Sequence, residues 1–342
     1  MKKINVAVAG ATGFAGAELI KLLARHPAVE IVALAHSPGT ADAPISKTFP
    51  QLAGVCDLMV ENIDAILNRE NLDAAFLALP HRAAMAVAKP LLARGVKVID
   101  LSADYRLRDV TVYEKWYDVK HEDKENLGSA VYGLCEIYRD KIKNANLVAN
   151  PGCYPTSALL PLIPLLKAGI VKPENIIIDS KSGASGAGRK VSAALQFCEV
   201  NESFKAYGIF SHRHTPEIEQ ELSLAAGVEK VSVIFTPHLL PLHRGIQSTI
   251  YVDCNRQKMS IEIKNAYESA YGGDFFVRVK PEGETVEIKD VANTNFCDIS
   301  YFVSGEKLII TSVIDNLLKG ASGQALQNFN IMFDFDEKEG LI

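Results

Sequence analysis

The start of the chain constrains its fold more than any other segment. Ile4-Asn5-Val6-Ala7-Val8-Ala9 is a short apolar run of the kind that forms a buried strand, and Gly10-Ala11-Thr12-Gly13-Phe14-Ala15-Gly16 follows it directly. From Phe14 to Arg25 the residues Leu19, Ile20, Leu22 and Leu23 recur at helical spacing, and Pro27 stops that pattern before a second apolar run, Glu30–Ala35. Strand, glycine loop and helix in this order suit a bound dinucleotide. Gly10, Gly13 and Gly16 let the backbone turn tightly and approach a diphosphate, while the helix N-terminus offers N–H groups and positive potential. An NAD site usually carries Asp or Glu at the end of the second strand to hold the ribose 2′-OH. Here that strand ends Leu34-Ala35-His36-Ser37, without an acid. Ser37 can donate to a 2′-phosphate, with His36 or Lys47 expected nearby, so the expected cofactor is NADP(H).

The alternation continues with strands at 73–79 and 96–101 and a helix at 83–94, which implies a parallel sheet with helices on both faces. After about residue 150 the pattern changes. Strands read at 176–180, 231–236, 247–254, 275–280, 298–303 and 307–313, the last two joined by the hairpin signal Ser304-Gly305-Glu306. Helices read at 156–168, 216–226, 260–271 and 322–333. A chain of 342 residues exceeds what one core usually spans. The expected fold class is therefore α/β: a Rossmann dinucleotide-binding domain joined to an α+β domain with a mostly antiparallel sheet.

Composition removes other classes. With 36 Lys and Arg against 41 Asp and Glu, the net charge is −5, and no basic stripe marks a nucleic-acid partner. The six cysteines are scattered without a CxxC pair, which fits a reducing compartment better than a disulfide framework. Gly10, Gly13, Gly16, Glu18 and Lys21 break up the apolar start, so it fails as a signal peptide. Ala158–Leu166 carries two prolines and is too short to span a bilayer. A cytoplasmic protein with no membrane partner is expected.

The chemistry gathers in four places. Asn150-Pro151-Gly152-Cys153-Tyr154-Pro155-Thr156 leads into a helix, with Cys153 expected just ahead of its N-terminus, where a thiolate is favoured. The other five cysteines read as packing residues. Ser211-His212-Arg213-His214 precedes Thr215-Pro216, an N-cap and first-turn pair. In an extended segment His212 and His214 share one side, where one imidazole can move protons and the other can meet substrate. A metal held by Cys153, His212 and His214 lacks supporting ligand spacing. Ser182-Gly183-Ala184-Ser185-Gly186-Ala187-Gly188-Arg189-Lys190 offers small residues and positive charge after a strand, and Arg106 leaves the carboxyl end of a parallel strand, the edge where ligands bind. A nucleophilic cysteine beside a dinucleotide fold indicates reduction of an acyl group through a thioester, since plain alcohol oxidation needs no thiol.

Taken together, Gly10–Gly16, Asn150–Thr156, Ser182–Gly188, His212–Ile218, Thr236-Pro237-His238-Leu239-Leu240-Pro241 and Asp315–Ala325 resemble the N-acetyl-γ-glutamyl-phosphate reductase family in its longer, bacterial form. The resemblance implies NADPH-dependent reduction of N-acetyl-γ-glutamyl phosphate to the semialdehyde and phosphate, in arginine biosynthesis. It implies Cys153 as the nucleophile and His212 and His214 as a pair of which one is the acid-base and the other meets substrate. His212 is favoured for proton transfer, with His214 toward substrate, and Arg106, Arg189 and Arg213 are expected toward substrate from their charge and position. Thr12, Gly13, Phe14 and Ala15 fall in its pyrophosphate loop, and Ser185, Gly186 and Asn316 line its nicotinamide. It implies a dinucleotide domain of residues 1–149 and 314–342, a catalytic and oligomerisation domain of 150–313, and a homodimer or homotetramer. Ser322, where the family commonly has Ala, is expected to strengthen a helix cap. Two alternatives stand beside it: reduction of the one-carbon-longer N-acyl-aminoadipyl phosphate of lysine biosynthesis, which motifs need not distinguish, and a non-catalytic NADP-binding sensor.

Overall fold

The computed structural model describes residues 3–36, 41–257 and 259–342. Ser37, expected at the cofactor, lies outside them. The chain divides into two compact units, Met1–Pro151 with Ala321–Ile342, and Gly152–Gly320.

In the first unit eight strands form one sheet: β1 (Ile4–Ala9), β2 (Val29–Ala35), β3 (Ala43–Pro44), β4 (Met59–Glu61), β5 (Ala74–Leu77), β6 (Lys97–Asp100), β7 (Val131–Tyr132) and β8 (Leu147–Ala149). Their order is β3-β4-β2-β1-β5-β6-β8-β7, parallel throughout except that β3 runs antiparallel to β4. Alternation along each strand feeds two cores. Val6 and Val8 join Leu19, Phe76 and Phe329 on one face, while Ala7 and Ala9 join Leu77, Val98 and Leu91 on the other. The helices α1 (Phe14–Leu23) and α2 (Ala84–Ala93) take opposite faces, as the strand-helix alternation required.

The second unit holds β9 (Ile176–Gly183), β10 (Lys205–Ala206), β11 (Val233–Leu240), β12 (Ile246–Asp253), β13 (Val277–Val279), β14 (Cys297–Ser304) and β15 (Lys307–Ile314). The order is β10-β11-β9-β12-β15-β14-β13, mostly antiparallel, with β9 and β11 parallel and β13 and β14 parallel. β11 runs four residues past the expected Thr236 and through Pro237. The Pro237 carbonyl accepts the Tyr207 N–H just beyond short β10, so the missing proline N–H faces the side where pairing ends.

Three helices of this unit are α3 (Cys153–Lys167), α4 (Thr215–Ala226) and α5 (Ser260–Tyr271). Helix α3 is buried nearly throughout despite Pro161 and Pro164, and side chains of α5 serve carbonyls beside these prolines. Leu160 O, which Pro164 leaves without its helical donor, accepts the Tyr271 hydroxyl, and Pro161 O accepts that of Tyr267 at 2.9 Å. Ser157 Oγ meets Ser248 Oγ at 2.7 Å, and Ser180 Oγ meets it at 2.7 Å, which ties α3 to β9 and β12.

Two details depart from the sequence reading. The residues after β15 stay with the second unit to Gly320, because Asp315 and Asn316 bind within it. Asp315 accepts from Asn293 N at 2.7 Å and Arg244 at 3.2 Å, and Gly245 N donates to Asn316 Oδ1 at 2.7 Å. The closing helix α6 (Gly323–Met332) begins after a π-turn, and Ser322 does not cap it. Its Oγ donates to Ala15 O at 2.8 Å instead, which pins the start of α6 to α1.

Candidate active site

The glycine loop of the first unit can be tested for fit to a dinucleotide. Gly10 has φ +82°, and a Cβ there would stand 2.1 Å from Ala78 O. A Cβ on Gly16 would stand 2.3 Å from Gly10 O. Only glycine allows these close passages, so the loop is folded tightly against β5 and α1. Gly13 is the N-cap of α1, has no side chain to occupy its first N–H groups, and no acid stands in the first turn. A helix start with neither a side-chain cap nor an acid suits a phosphate at its positive end, so the residues present fit the group. His36 at the end of β2 is buried, with Nε2 3.0 Å from Asp42 Oδ1.

Arg106, expected toward substrate, is 5% exposed. Its Nε donates to Asn150 O and its Nη2 to Leu101 O, both at 2.8 Å. The side chain therefore holds the ends of β6 and β8 together. Asn150 is fixed in turn, its N–H on Asp100 O at 2.8 Å and its Oδ1 on Asn328 Nδ2 at 3.1 Å. Asp100 is fully buried, and burial first, then the Asp104 carboxylate, pushes its acid up to about 7.

In the second unit Cys153 is the first residue of α3 rather than the residue ahead of it. Gly152 is extended at φ −67° and ψ 155°, and its carbonyl takes the Thr156 N–H at 2.9 Å, so the helix begins one turn earlier than Pro155 suggested. Pro155 falls within that first turn, where no N–H is needed. The sulfur thus sits at the positive end of a long helix and is partly exposed. Cys56, Cys135, Cys254 and Cys297 are buried, as packing residues should be. Cys198 is not: it is exposed on the four-residue helix Phe197–Val200, too short for a buried face.

Around Cys153 lie residues that sequence reasoning missed. Glu217 is 1% exposed and accepts the Gly152 N–H at 2.8 Å, which binds the first turn of α4 to the cap of α3. A charge-assisted bond of this kind contributes about 1.5–3 kcal/mol. Gly320 packs so tightly that a Cβ there would stand 2.8 Å from Cys153 Cβ. The Tyr154 hydroxyl meets that of Tyr207 at 3.0 Å. Burial, then the Tyr207 hydroxyl, with the Cys153 charge contributing, holds Tyr154 well above the usual phenol range. Burial above all pushes Tyr207 up to about 12, and the nearby Cys153 charge adds to the rise. Both phenols remain hydrogen-bond donors at neutral pH.

His212 and His214 do share one side, in a turn rather than an extended strand, with ring centroids 4.9 Å apart. Thr215 is the first helical residue and His214 the N-cap, one position from the expectation. The His212 ring is boxed by Tyr154, Tyr207 and Phe235 at 5.5, 5.6 and 5.4 Å. Burial, with the Arg213 charge second, lowers its pKa to about 4, so it is neutral at pH 7. Its Nδ1 accepts the His214 N–H at 3.2 Å, which leaves the ring proton on Nε2. Ser185, Gly186 and Asn316 come together from distant segments, with Asn316 Nδ2 donating to Ser185 Oγ at 3.0 Å. Arg189 and Arg213 are both exposed. Among the described residues no group of three His, Cys, Asp or Glu is placed to hold a metal ion, and no helix is long and apolar enough to cross a membrane.

Comparison with known proteins fits this arrangement. Residues 5–145 match the family model described as "Semialdehyde dehydrogenase, NAD binding domain", and 153–316 that described as "Semialdehyde dehydrogenase, dimerisation domain". The chain is 51% identical over 341 residues to the N-acetyl-gamma-glutamyl-phosphate reductase of Desulforapulum autotrophicum, covering 99% of this chain and 98% of the relative. It is 50% identical over 340 residues to the reductase of the same name from Pelotomaculum thermopropionicum, at 99% and 97% coverage. Aspartate semialdehyde dehydrogenase II from Vibrio cholerae has the same fold, with a TM-score of 0.73 at 17% identity over 97% of this chain and 99% of that one. The chain belongs to the semialdehyde dehydrogenase family and, within it, to the N-acetyl-gamma-glutamyl-phosphate reductases.

Proposed function

We propose that this chain reduces N-acetyl-γ-glutamyl phosphate to N-acetylglutamate 5-semialdehyde and phosphate through a thioester on Cys153. The observation that carries this is the partly exposed Cys153 at the N-terminus of α3, with Glu217 locking its cap and two imidazoles packed on the next residue, Tyr154. Cys153 Sγ, as the thiolate, forms a bond to the acyl carbon while the carbon–oxygen bond to phosphate breaks, and phosphate leaves with a proton from solvent. When bound at the glycine loop, the reduced dinucleotide supplies a hydride. The end of the second strand, Leu34-Ala35-His36-Ser37, carries no acid for a ribose 2′-OH, which favours NADPH as that donor.

Collapse of the resulting tetrahedral oxyanion breaks the carbon–sulfur bond, releases the aldehyde and returns the thiolate. Roles for the two histidines follow from His212 Nδ1, which already accepts a main-chain N–H. The proton on Nε2 makes His212 a hydrogen-bond donor to the oxyanion rather than a base, which reverses the role favoured from sequence. His214 is left to exchange protons with the reacting oxygen. Ser185, Gly186 and Asn316 form a small, rigid wall suited to a flat nicotinamide. Arg189 and Arg213 supply positive charge for the acyl phosphate.

The second unit also favours a homo-oligomer. Across the open face of its sheet Ile234, Ile177, Tyr251 and Ile309 lie side by side in register, 46%, 38%, 40% and 37% exposed. Strands about 4.8 Å apart make this an apolar stripe that a second copy would cover. The reaction is tested in reverse with N-acetylglutamate 5-semialdehyde, NADP⁺ and phosphate. Phosphate-dependent appearance of NADPH supports the assignment, and its absence with this aldehyde removes it.

A further inference from the structure

One segment of the second unit has almost no core of its own. Of the described residues 186–211 only Val200 is buried. The helices in this segment, Ala193–Leu195 and Phe197–Val200, are three and four residues long, and the two residues of β10 pair with β11 at the sheet edge. Val191, Phe197 and Phe210 are 91%, 78% and 73% exposed, and Phe204 and Ile209 are exposed as well. Phe210 holds a left-handed φ of +55°, a strained conformation for a bulky residue that needs packed neighbours to persist. Between 191 and 210 stand two acids, Glu199 and Glu202, and one base, Lys205. This arm therefore has no positive excess to draw a nucleic acid or an anionic membrane.

The arm wraps one edge of the sheet. Phe204 stacks on His238, ring centroids 4.9 Å apart. His238 alternates with Ile234 along β11, so both lie on the open face that carries the apolar stripe. Tyr207, three residues on, serves the opposite face, where Phe235 lies. There its hydroxyl meets that of Tyr154 and its ring closes one side of the His212 box. Gly208 follows, and a Cβ on it would stand 3.3 Å from His212 Cβ. We propose that a second copy of this chain covers the arm from Val191 to Phe210 together with the stripe, and that this cover holds Tyr207 and Gly208 against His212, so that only the associated form has a complete site. Continuity identifies the occupant, because Phe204 carries the apolar surface of Ile234 and Ile177 out onto the arm. The proposal rests on the homo-oligomer reading above.

Sedimentation and turnover of the full chain over one concentration range test this, with Phe197→Glu on the arm and Ile234→Glu on the stripe beside the parent. Both side chains are exposed, so neither change disturbs the core. The parent associates, and both variants dissociate at concentrations where the parent does not. On dilution the turnover per chain of each variant falls by about tenfold or more, in step with the dissociated fraction. It returns to the parent value at high concentration, which shows that the variants fold. The KM for the dinucleotide stays at the parent value, since the glycine loop belongs to the first unit. A parent that is monomeric throughout would remove both the homo-oligomer and this proposal. Phe197→Glu associating as tightly as the parent, or dissociated chains turning over at the full rate, would overturn the role of the arm and leave the homo-oligomer standing.

Discussion

Replacing Gly320 by alanine adds one methyl group against the nucleophile. Its Cβ would stand 2.8 Å from Cys153 Cβ and 3.3 Å from Asp315 O. Carbon atoms rest at about 3.5–4.0 Å, so the start of α3 has to move by roughly 0.7 Å or more. Gly320 is not in the left-handed region, so alanine fits its backbone and the fold survives. Displacing a reacting atom by about 1 Å costs on the order of 10²-fold in rate. Steady-state kinetics of Gly320→Ala should therefore show kcat reduced by about that factor. Dinucleotide affinity, read by quenching of protein fluorescence, stays unchanged because the glycine loop is untouched. Alkylation of Cys153 by iodoacetamide should slow as well. A kcat within about twofold of the parent would refute the claim that the position of this sulfur limits the reaction.

Glu217→Ala leaves the buried Gly152 N–H without its acceptor and should lower stability by about 1–3 kcal/mol in urea, with Glu217→Gln losing less because its amide oxygen still accepts. If His212 acts as a donor, His212→Asn retains an N–H and stays faster than His212→Phe; equal loss in the two would assign it a base role instead. The His212 pKa near 4 lies below the unfolded value of 6.5, so the unfolded chain binds more protons between these two pH values. Stability should be constant above about pH 6.5 and fall toward pH 4 by at most about 3 kcal/mol through this group. Urea midpoints at pH 7.5 and 4.5 check this, and His212→Phe should show a smaller drop than the parent.

Local patterns made much of this molecule legible. β1 runs from Ile4 to Ala9 as its apolar run indicates, because a strand buried on both faces shows as an unbroken stretch. The thiol was legible too, since glycine and proline punctuate the start of α3. What pattern reading missed joins distant segments. Glu217 reads as an ordinary first-turn acid, and nothing local reveals that its carboxylate reaches the Gly152 N–H. Gly320 reads as a loop glycine until Cys153 is seen against it. Arg106 reads as an anion-binding side chain from its place at a strand end, and nothing local shows that its Nε and Nη2 donate to the carbonyls of Asn150 and Leu101. The exposure of Cys198 and the Ser322 bond to Ala15 O depend on neighbours that periodicity does not record.

The thioester on Cys153 is tested most directly by withholding phosphate. With N-acetylglutamate 5-semialdehyde and NADP⁺ alone, hydride leaves the thiohemiacetal and the acyl group has no phosphate acceptor. The account predicts a rapid burst of NADPH equal to one equivalent per active site, then slow hydrolysis, with the acyl mass on the peptide that carries Cys153. Sustained turnover without phosphate and no acylated peptide, or full activity in Cys153→Ser, would contradict it.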